Sequence, residues 1–223
     1  MQEIQTFSIP ISWPNSAVSL AWGPPPISST GLMEWQRSLA RLSLKTGANT
    51  LGYHLPLNQK GVPEVLDYKK IEGMPELNCS LAHSSGPGKS RSLAVGASLL
   101  STNFMGPGVG IYVEWSQRNM RSDAYRRFRH EGDHSSWGQT DNLLWTWMAK
   151  EAGFKAASNT CGSEVTLIKQ IRLLHPFKIE GTAEVYDSKN QLLGDLTYRL
   201  MQINCAEHAL NMALAKLFRL AGR

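Results

Sequence analysis

Twice along this 223-residue chain a helical pattern is followed by a series of strand-like runs, and that repeated order constrains the fold more than any single residue does. In the first pass, residues 16–22 read as a strand closed by Gly23 and by Pro24, Pro25 and Pro26, a run that excludes both helix and central strand. Leu32, Trp35, Leu39 and Leu42 then recur at helical spacing, which predicts an amphipathic helix over 31–45, capped by Ser29 or Thr30 and ending near Gly47, with Arg37 and Arg41 on its polar side. Gly, Pro, Asn and Lys dominate 50–76, predicting an irregular connection, and 77–82 and 92–99 read as strands joined by a loop over 84–91. Gly106-Pro107-Gly108 marks the best boundary. Beyond it come a strand over 109–114, a helix from Asp141 to about Ser158, and strand-like runs over 165–174, 177–186 and 192–203, with a hairpin turn at 187–191. The two helices open similarly, Leu32-Met33-Glu34-Trp35 and Leu143-Leu144-Trp145. The expectation is an α+β fold of two similar halves, 1–108 and 109–223, related by a pseudo-two-fold. Each is a small antiparallel sheet packed on a long helix, and the halves meet face to face in one compact unit with the active-site cleft between them.

Composition narrows the function classes. With 42% hydrophobic and 18% charged residues the chain can bury a core without a staple, which excludes disorder and coiled coil as overall descriptions. Cys79, Cys161 and Cys205 are far apart and odd in number, which suggests neither a disulfide framework nor a zinc site and fits a reducing cytoplasm. Residues 1–20 lack a basic leader and the longest apolar stretch, 93–100, is far too short to span a bilayer, so neither export nor membrane insertion is expected. The net charge of +5 and the pI near 9.2 favour acidic partners: nucleic acid, anionic lipid, a phosphorylated ligand or an acidic protein. Arg118, Arg121, Arg126, Arg127 and Arg129 make a basic surface, read either as a solvated face or as a dock for an acidic protein. Nucleic acid is the weaker reading, because no ladder of stacking aromatics accompanies the charge.

The second helix carries the most chemistry. Leu144, Trp147, Met148 and Phe154 form one apolar stripe, and Glu151 and Lys155 fall in its middle. One reading is an i,i+4 ion pair that stabilises the helix. The other is a cleft-facing carboxylate that holds a cation beside a lysine that holds an anion, since charges on a buried stripe are costly unless they are paired or bound. Glu114 lies on the preceding strand with Tyr112 on the same face, and two facing carboxylates make a plausible two-point Mg²⁺ site, although a strand-borne Glu is more often simply exposed. The segment SLAHSSGPGKS at 80–90 ends in G-K-S, but the glycine that a P-loop needs five positions before Gly88 is His83 and a strand-like run follows, which excludes an NTPase loop. A strand end at His83-Ser84 remains, beside a loop whose Lys89 and Arg91 could clasp a phosphate. The glycines at 106–110 have no helix after them and form a turn, not a dinucleotide fingerprint.

Together these pieces resemble the 4′-phosphopantetheinyl transferase superfamily in its larger, two-half type, over about 61–215. Gly61-Val62-Pro63 resembles its G-x-P element, Ala82-His83-Ser84 its S-H-S strand end, and Gly110-Ile111-Tyr112-Val113-Glu114 its G-[VI]-D-x-E strand. Trp147-Met148-Ala149-Lys150-Glu151 through Lys155 resembles its W-x-x-K-E-x-x-x-K helix, the most specific of the four. The resemblance implies a Mg²⁺-dependent enzyme that moves 4′-phosphopantetheine from coenzyme A to a serine of an acidic acyl or peptidyl carrier protein, acting as a cytoplasmic monomer. It implies Glu114 and Glu151 as metal ligands, Lys150 and Lys155 as contacts to coenzyme A phosphates, His83 with Ser84 at the ribose-side phosphate, and Glu151 with Lys155 as the catalytic pair. Glu151 would act as base, directly or through water. Two departures stand out: Val62 replaces the usual lysine of the G-K-P element, and Tyr112 stands where the family places a metal-binding aspartate. A phenol with a pKa near 10 is neutral at pH 7 and a poor substitute for an anionic ligand. The alternative is therefore a non-catalytic or altered member that binds coenzyme A or a carrier protein.

Overall fold

The structure, a computed structural model, describes residues 4–25, 31–59, 61, 63–64, 70–86, 93–102, 108–205 and 207–219. The described residues form an α+β fold with two five-stranded antiparallel sheets and two 19-residue α-helices. The first sheet contains β1 (Gln5–Ile9), β2 (Ser16–Gly23), β3 (Lys70–Ile71), β4 (Met74–Ser85) and β5 (Ala94–Thr102) in the order β1-β2-β5-β4-β3, with α1 (Leu32–Thr50) between β2 and β3 in the chain. The second contains β6 (Gly108–Trp115), β7 (Ile171–Leu173), β8 (Glu180–Tyr186), β9 (Leu192–Cys205) and β10 (His208–Arg219) in the order β6-β10-β9-β8-β7, with α2 (Leu143–Cys161) between β6 and β7. One winding recurs: a strand, a helix, then a meander whose last strand returns to pair with the first, β5 on β2 and β10 on β6.

Strand alternation sorts the side chains into layers. On β6, Val109, Ile111, Val113 and Trp115 join Val18, Leu20, Val95, Ala97 and Leu99 of the first sheet and Leu210, Met212 and Leu214 of β10 in one apolar cluster. The intervening β6 residues, Gly108, Gly110 and Tyr112, meet α2. In the first sheet Leu77, Cys79, Leu81 and Leu100 pack against Ala40, Leu44 and Ala48 of α1. Glycine permits both helix-to-sheet contacts. A Cβ on Gly96 of β5 would collide with the α1 backbone at Leu39 and Ala40, and one on Gly110 would collide with the Ala152 carbonyl and lie 2.7 Å from Ala156 N.

The differences from the sequence expectations have local causes. The first helix continues past 45 to Thr50, because Gly47 is not a stop: it faces Leu100 and Ser19, where a side chain would not fit, and the turn comes at Gly52 with φ +80°. Of the run 165–174 only Ile171–Leu173 is strand. The Gln170 amide satisfies the backbone before it, accepting from Thr166 and Leu167 N–H at 2.8 Å each and donating to the Glu164 and Tyr186 carbonyls, so that stretch needs no strand partner. β1, β3 and β10 were not expected. β10 is a central strand, buried along 210–217, and its nearly unbroken apolar run hides the period-2 signal that a half-buried strand displays. The loop expected over 84–91 begins only after β4 ends at Ser85. The caps Ser29 and Thr30, the loop cations Lys89 and Arg91, Val62 and the Gly106-Pro107 boundary lie outside the described residues. Among the described residues no helix is long and apolar enough to cross a membrane.

Candidate functional site at the β4–β6 seam

β4 and β6 belong to different sheets yet lie side by side, joined by side chains. Lys155 Nζ of α2 donates to the Leu81 carbonyl at 2.9 Å and to the Ile111 carbonyl at 3.0 Å. One turn on, Asn159 Nδ2 reaches the Cys79 and Val109 carbonyls at 3.5 and 3.4 Å. Ser80 Oγ accepts from Ile111 N–H at 3.1 Å, and Ser84 Oγ donates to Glu114 Oε1 at 2.8 Å. The bridged positions climb together, 79 with 109, 81 with 111 and 84 with 114, so the two strands run the same way. Helix α2 thus supplies donors for carbonyls that a backbone ladder would otherwise satisfy.

At the upper end of this seam the expected residues converge. Glu114 is buried; its Oε1 also accepts from Trp115 N–H at 3.2 Å, and its Oε2 binds the Arg118 guanidinium. Tyr112 packs edge-on against Trp147, with centroids 6.5 Å apart, and the Lys155 ammonium lies 5.4 Å from the centre of its ring. Burial, with smaller contributions from the Glu114 and Glu151 carboxylates, raises the Tyr112 pKa and keeps the phenol neutral at pH 7. Glu151 is half-buried, and burial raises its carboxyl above the ordinary range against the opposing pull of Lys155 and Arg118. Burial lowers the Arg118 pKa, but the bond to Glu114 and its charge outweigh that and hold the guanidinium above its ordinary value. A cavity of about 360 Å³ opens beside this group, lined by Ser85, Gly86, Glu114, Trp115, Arg118 and Asn119.

Other expected site residues stand apart. His83 is exposed at the end of β4 and, by alternation, points away from the face on which Ser84 meets Glu114. Lys150 is wholly buried: its ammonium binds both oxygens of Asp133, at 2.7 and 3.0 Å, and the Ile171 carbonyl at 2.5 Å. Those three acceptors match its three donors, which corrects the expected phosphate contact to an internal ion pair. The reason is helical geometry: Lys150 and Lys155 are five residues apart and fall about 140° around the helix, whereas Glu151 and Lys155 share a face. Lys155 itself is buried in the seam with carbonyls as partners rather than presented to solvent.

Sequence reasoning missed two participants. Arg118 belongs in sequence to the arginine surface, although its i,i+4 distance from Glu114 is a usable signal; Asp133 carries no periodic mark that ties it to Lys150, 17 residues on.

The donors at the seam do not fit the implied Mg²⁺. That ion wants near-octahedral oxygen ligands. Oε1 of Glu114 already serves two donors, Oε2 is held by a guanidinium whose charge repels a second cation, and the motif position two residues before Glu114 is a neutral phenol.

Comparison with protein-family models finds no match, and no curated protein matches the chain.

Proposed function

We propose that this chain binds coenzyme A where β4, β6 and α2 meet and transfers its 4′-phosphopantetheine to a serine of an acyl or peptidyl carrier protein. The supporting observation is the convergence of Glu114, Glu151, Lys155 and Ser84, from three separate elements, around one seam. In this reading the recurring strand-helix-meander winding is a pseudo-two-fold pair of halves, 1–108 and 109–223, and the ligand lies in the cleft between them. The serine oxygen attacks the pantetheine-side phosphorus of the pyrophosphate; a P–O bond forms to the carrier, and the bond to the other phosphate breaks. Adenosine 3′,5′-bisphosphate departs with the electron pair, and the serine proton passes to Glu151, directly or through water. A carboxyl raised by burial suits that task, being closer to neutral pH than an exposed one. His83 would meet the ribose-side phosphate. The exposed arginines Arg121, Arg126, Arg127 and Arg129 would face the acidic carrier, in a cytoplasmic setting compatible with three buried cysteines.

Incubation with coenzyme A and a panel of apo carrier proteins, read by intact mass, tests this directly: a carrier should gain one phosphopantetheine. Glu151→Gln should lower the rate by about 100-fold or more, in the usual range for a lost general base, while the circular dichroism spectrum stays unchanged. Because a protonated carboxyl cannot accept the proton, wild-type transfer should fall as pH drops through the raised Glu151 pKa, at a higher pH than an ordinary glutamate would give. Full activity in Glu151→Gln would overturn the assignment. A second reading, favoured by Tyr112, is an altered member that holds coenzyme A or a carrier without transfer; measurable coenzyme A binding with no modified carrier would select it.

A further inference from the structure

We infer that Arg118 takes the place of a divalent cation, so that this chain holds the pyrophosphate of its ligand without metal. The inference rests on the coenzyme A reading for the identity of the ligand, but its physical basis is separate. Arg118 sits at the first turn after β6, and its guanidinium binds Glu114 Oε2 beside Tyr112 and within the electrostatic reach of Glu151. It therefore supplies positive charge among the side chains to which the resemblance assigns a metal. Both side chains line the cavity above the seam, that of Arg118 47% exposed and that of Glu114 only 9%. A guanidinium has five N–H donors in a rigid plane, so it can keep its bond to Glu114 and still present a fork to phosphate oxygens. Aspartate at position 112 would give a bound cation a third carboxylate; tyrosine removes that charge, and one fixed guanidinium beside Glu114 leaves the cluster better balanced. Tyr112 and Arg118 are thus complementary, one lacking the carboxylate a cation needs and the other supplying the positive charge.

Two measurements test the inference. Mn²⁺ titration followed by electron paramagnetic resonance, with no ligand present, should show no stoichiometric site in the wild type. The double variant Tyr112→Asp/Arg118→Ala should gain one, tightening Mn²⁺ binding by about tenfold or more. Isothermal titration with coenzyme A should give the same affinity, within about twofold, in EDTA and in Mg²⁺. Arg118→Ala should weaken binding in EDTA by about tenfold or more, as expected for a charge-assisted contact, with Arg118→Lys recovering part of the loss. A tight Mn²⁺ site in the wild type overturns the inference. Coenzyme A that binds only with Mg²⁺ also overturns it, yet leaves the proposed function standing. Coenzyme A that binds under neither condition overturns the proposed function and takes the ligand of this inference with it.

Discussion

Gly110→Val is expected to cost about 4 kcal/mol or more, a large part of the stability of a domain, since whole domains are stable by only about 5–15 kcal/mol. The reason is what surrounds the position. Gly110 lies on the face of β6 that meets α2, and even a Cβ there would overlap the Ala152 carbonyl and press on Ala156 N. Both are helix backbone, so no rotamer change relieves the clash; β6 and α2 must separate. Separation would also pull Lys155 and Asn159 from the carbonyls they bridge, exposing the seam and leaving buried acceptors without donors. Gly96→Val should act alike on the first sheet, where α1 backbone at Leu39 and Ala40 is the obstacle. Gly52→Ala provides the contrast: nothing lies within 4 Å of its missing Cβ, and only its φ of +80° resists a side chain, a penalty of about 1–2 kcal/mol. Urea denaturation of the three variants reads the ranking. A Gly110→Val protein within 1 kcal/mol of wild type would mean that α2 does not lie this close to β6.

These glycines also indicate how far the sequence could be read. The G-x-x-x-E pattern of 110–114 marks a strand with one carboxylate at its end, and the period-2 rule correctly sets Tyr112 and Glu114 on one face. The α+β class and both helices were legible because helical periodicity persists over whole turns. The β10 strand was not, since it is buried on both faces and the apolar residues between Asn211 and Lys216 follow one another without a period of two. At the site, Glu114, Glu151 and Lys155 could be picked out as charged residues among apolar ones. Their partners could not, because carbonyls at 81 and 111 are shared by every sequence and become visible only when two strands are placed beside one helix. The same limit applies to Lys150. It stands in a motif where a lysine is expected to meet phosphate, and only the position of Asp133 decides otherwise.

That ion pair gives the second large effect. Asp133→Ala should destabilise the protein by about 3–5 kcal/mol, because it strands a buried ammonium and also removes the acceptors for Leu173 N–H and His130 N–H, each 2.9 Å from an Asp133 oxygen. Lys150→Met should cost less: the aspartate left behind keeps both backbone donors, and the new side chain fills much of the same volume. The pH dependence separates charge from packing. Burial, only partly offset by Asp133, brings the Lys150 pKa down to about 8 from an ordinary 10.5. Between those values the unfolded chain binds more protons than the folded one, so the Lys150 contribution to stability is flat below about pH 8 and rises with pH up to about 10.5. Tyr198 and Cys205, both pushed up to about 12 by burial, act in the opposite direction at the alkaline end. The diagnostic quantity is therefore the difference between wild type and Lys150→Met. It should move in favour of wild type from pH 8 to pH 10 by up to about 1.4 kcal/mol per pH unit. A difference that is constant across that range would mean Lys150 is not desolvated. Coenzyme A binding measured on Lys150→Met at pH 7 then separates anchor from ligand contact. An affinity equal to wild type leaves Lys150 as the anchor that fixes α2, and with it Glu151 and Lys155, over the seam, whereas a loss of tenfold or more would return it to the phosphate site.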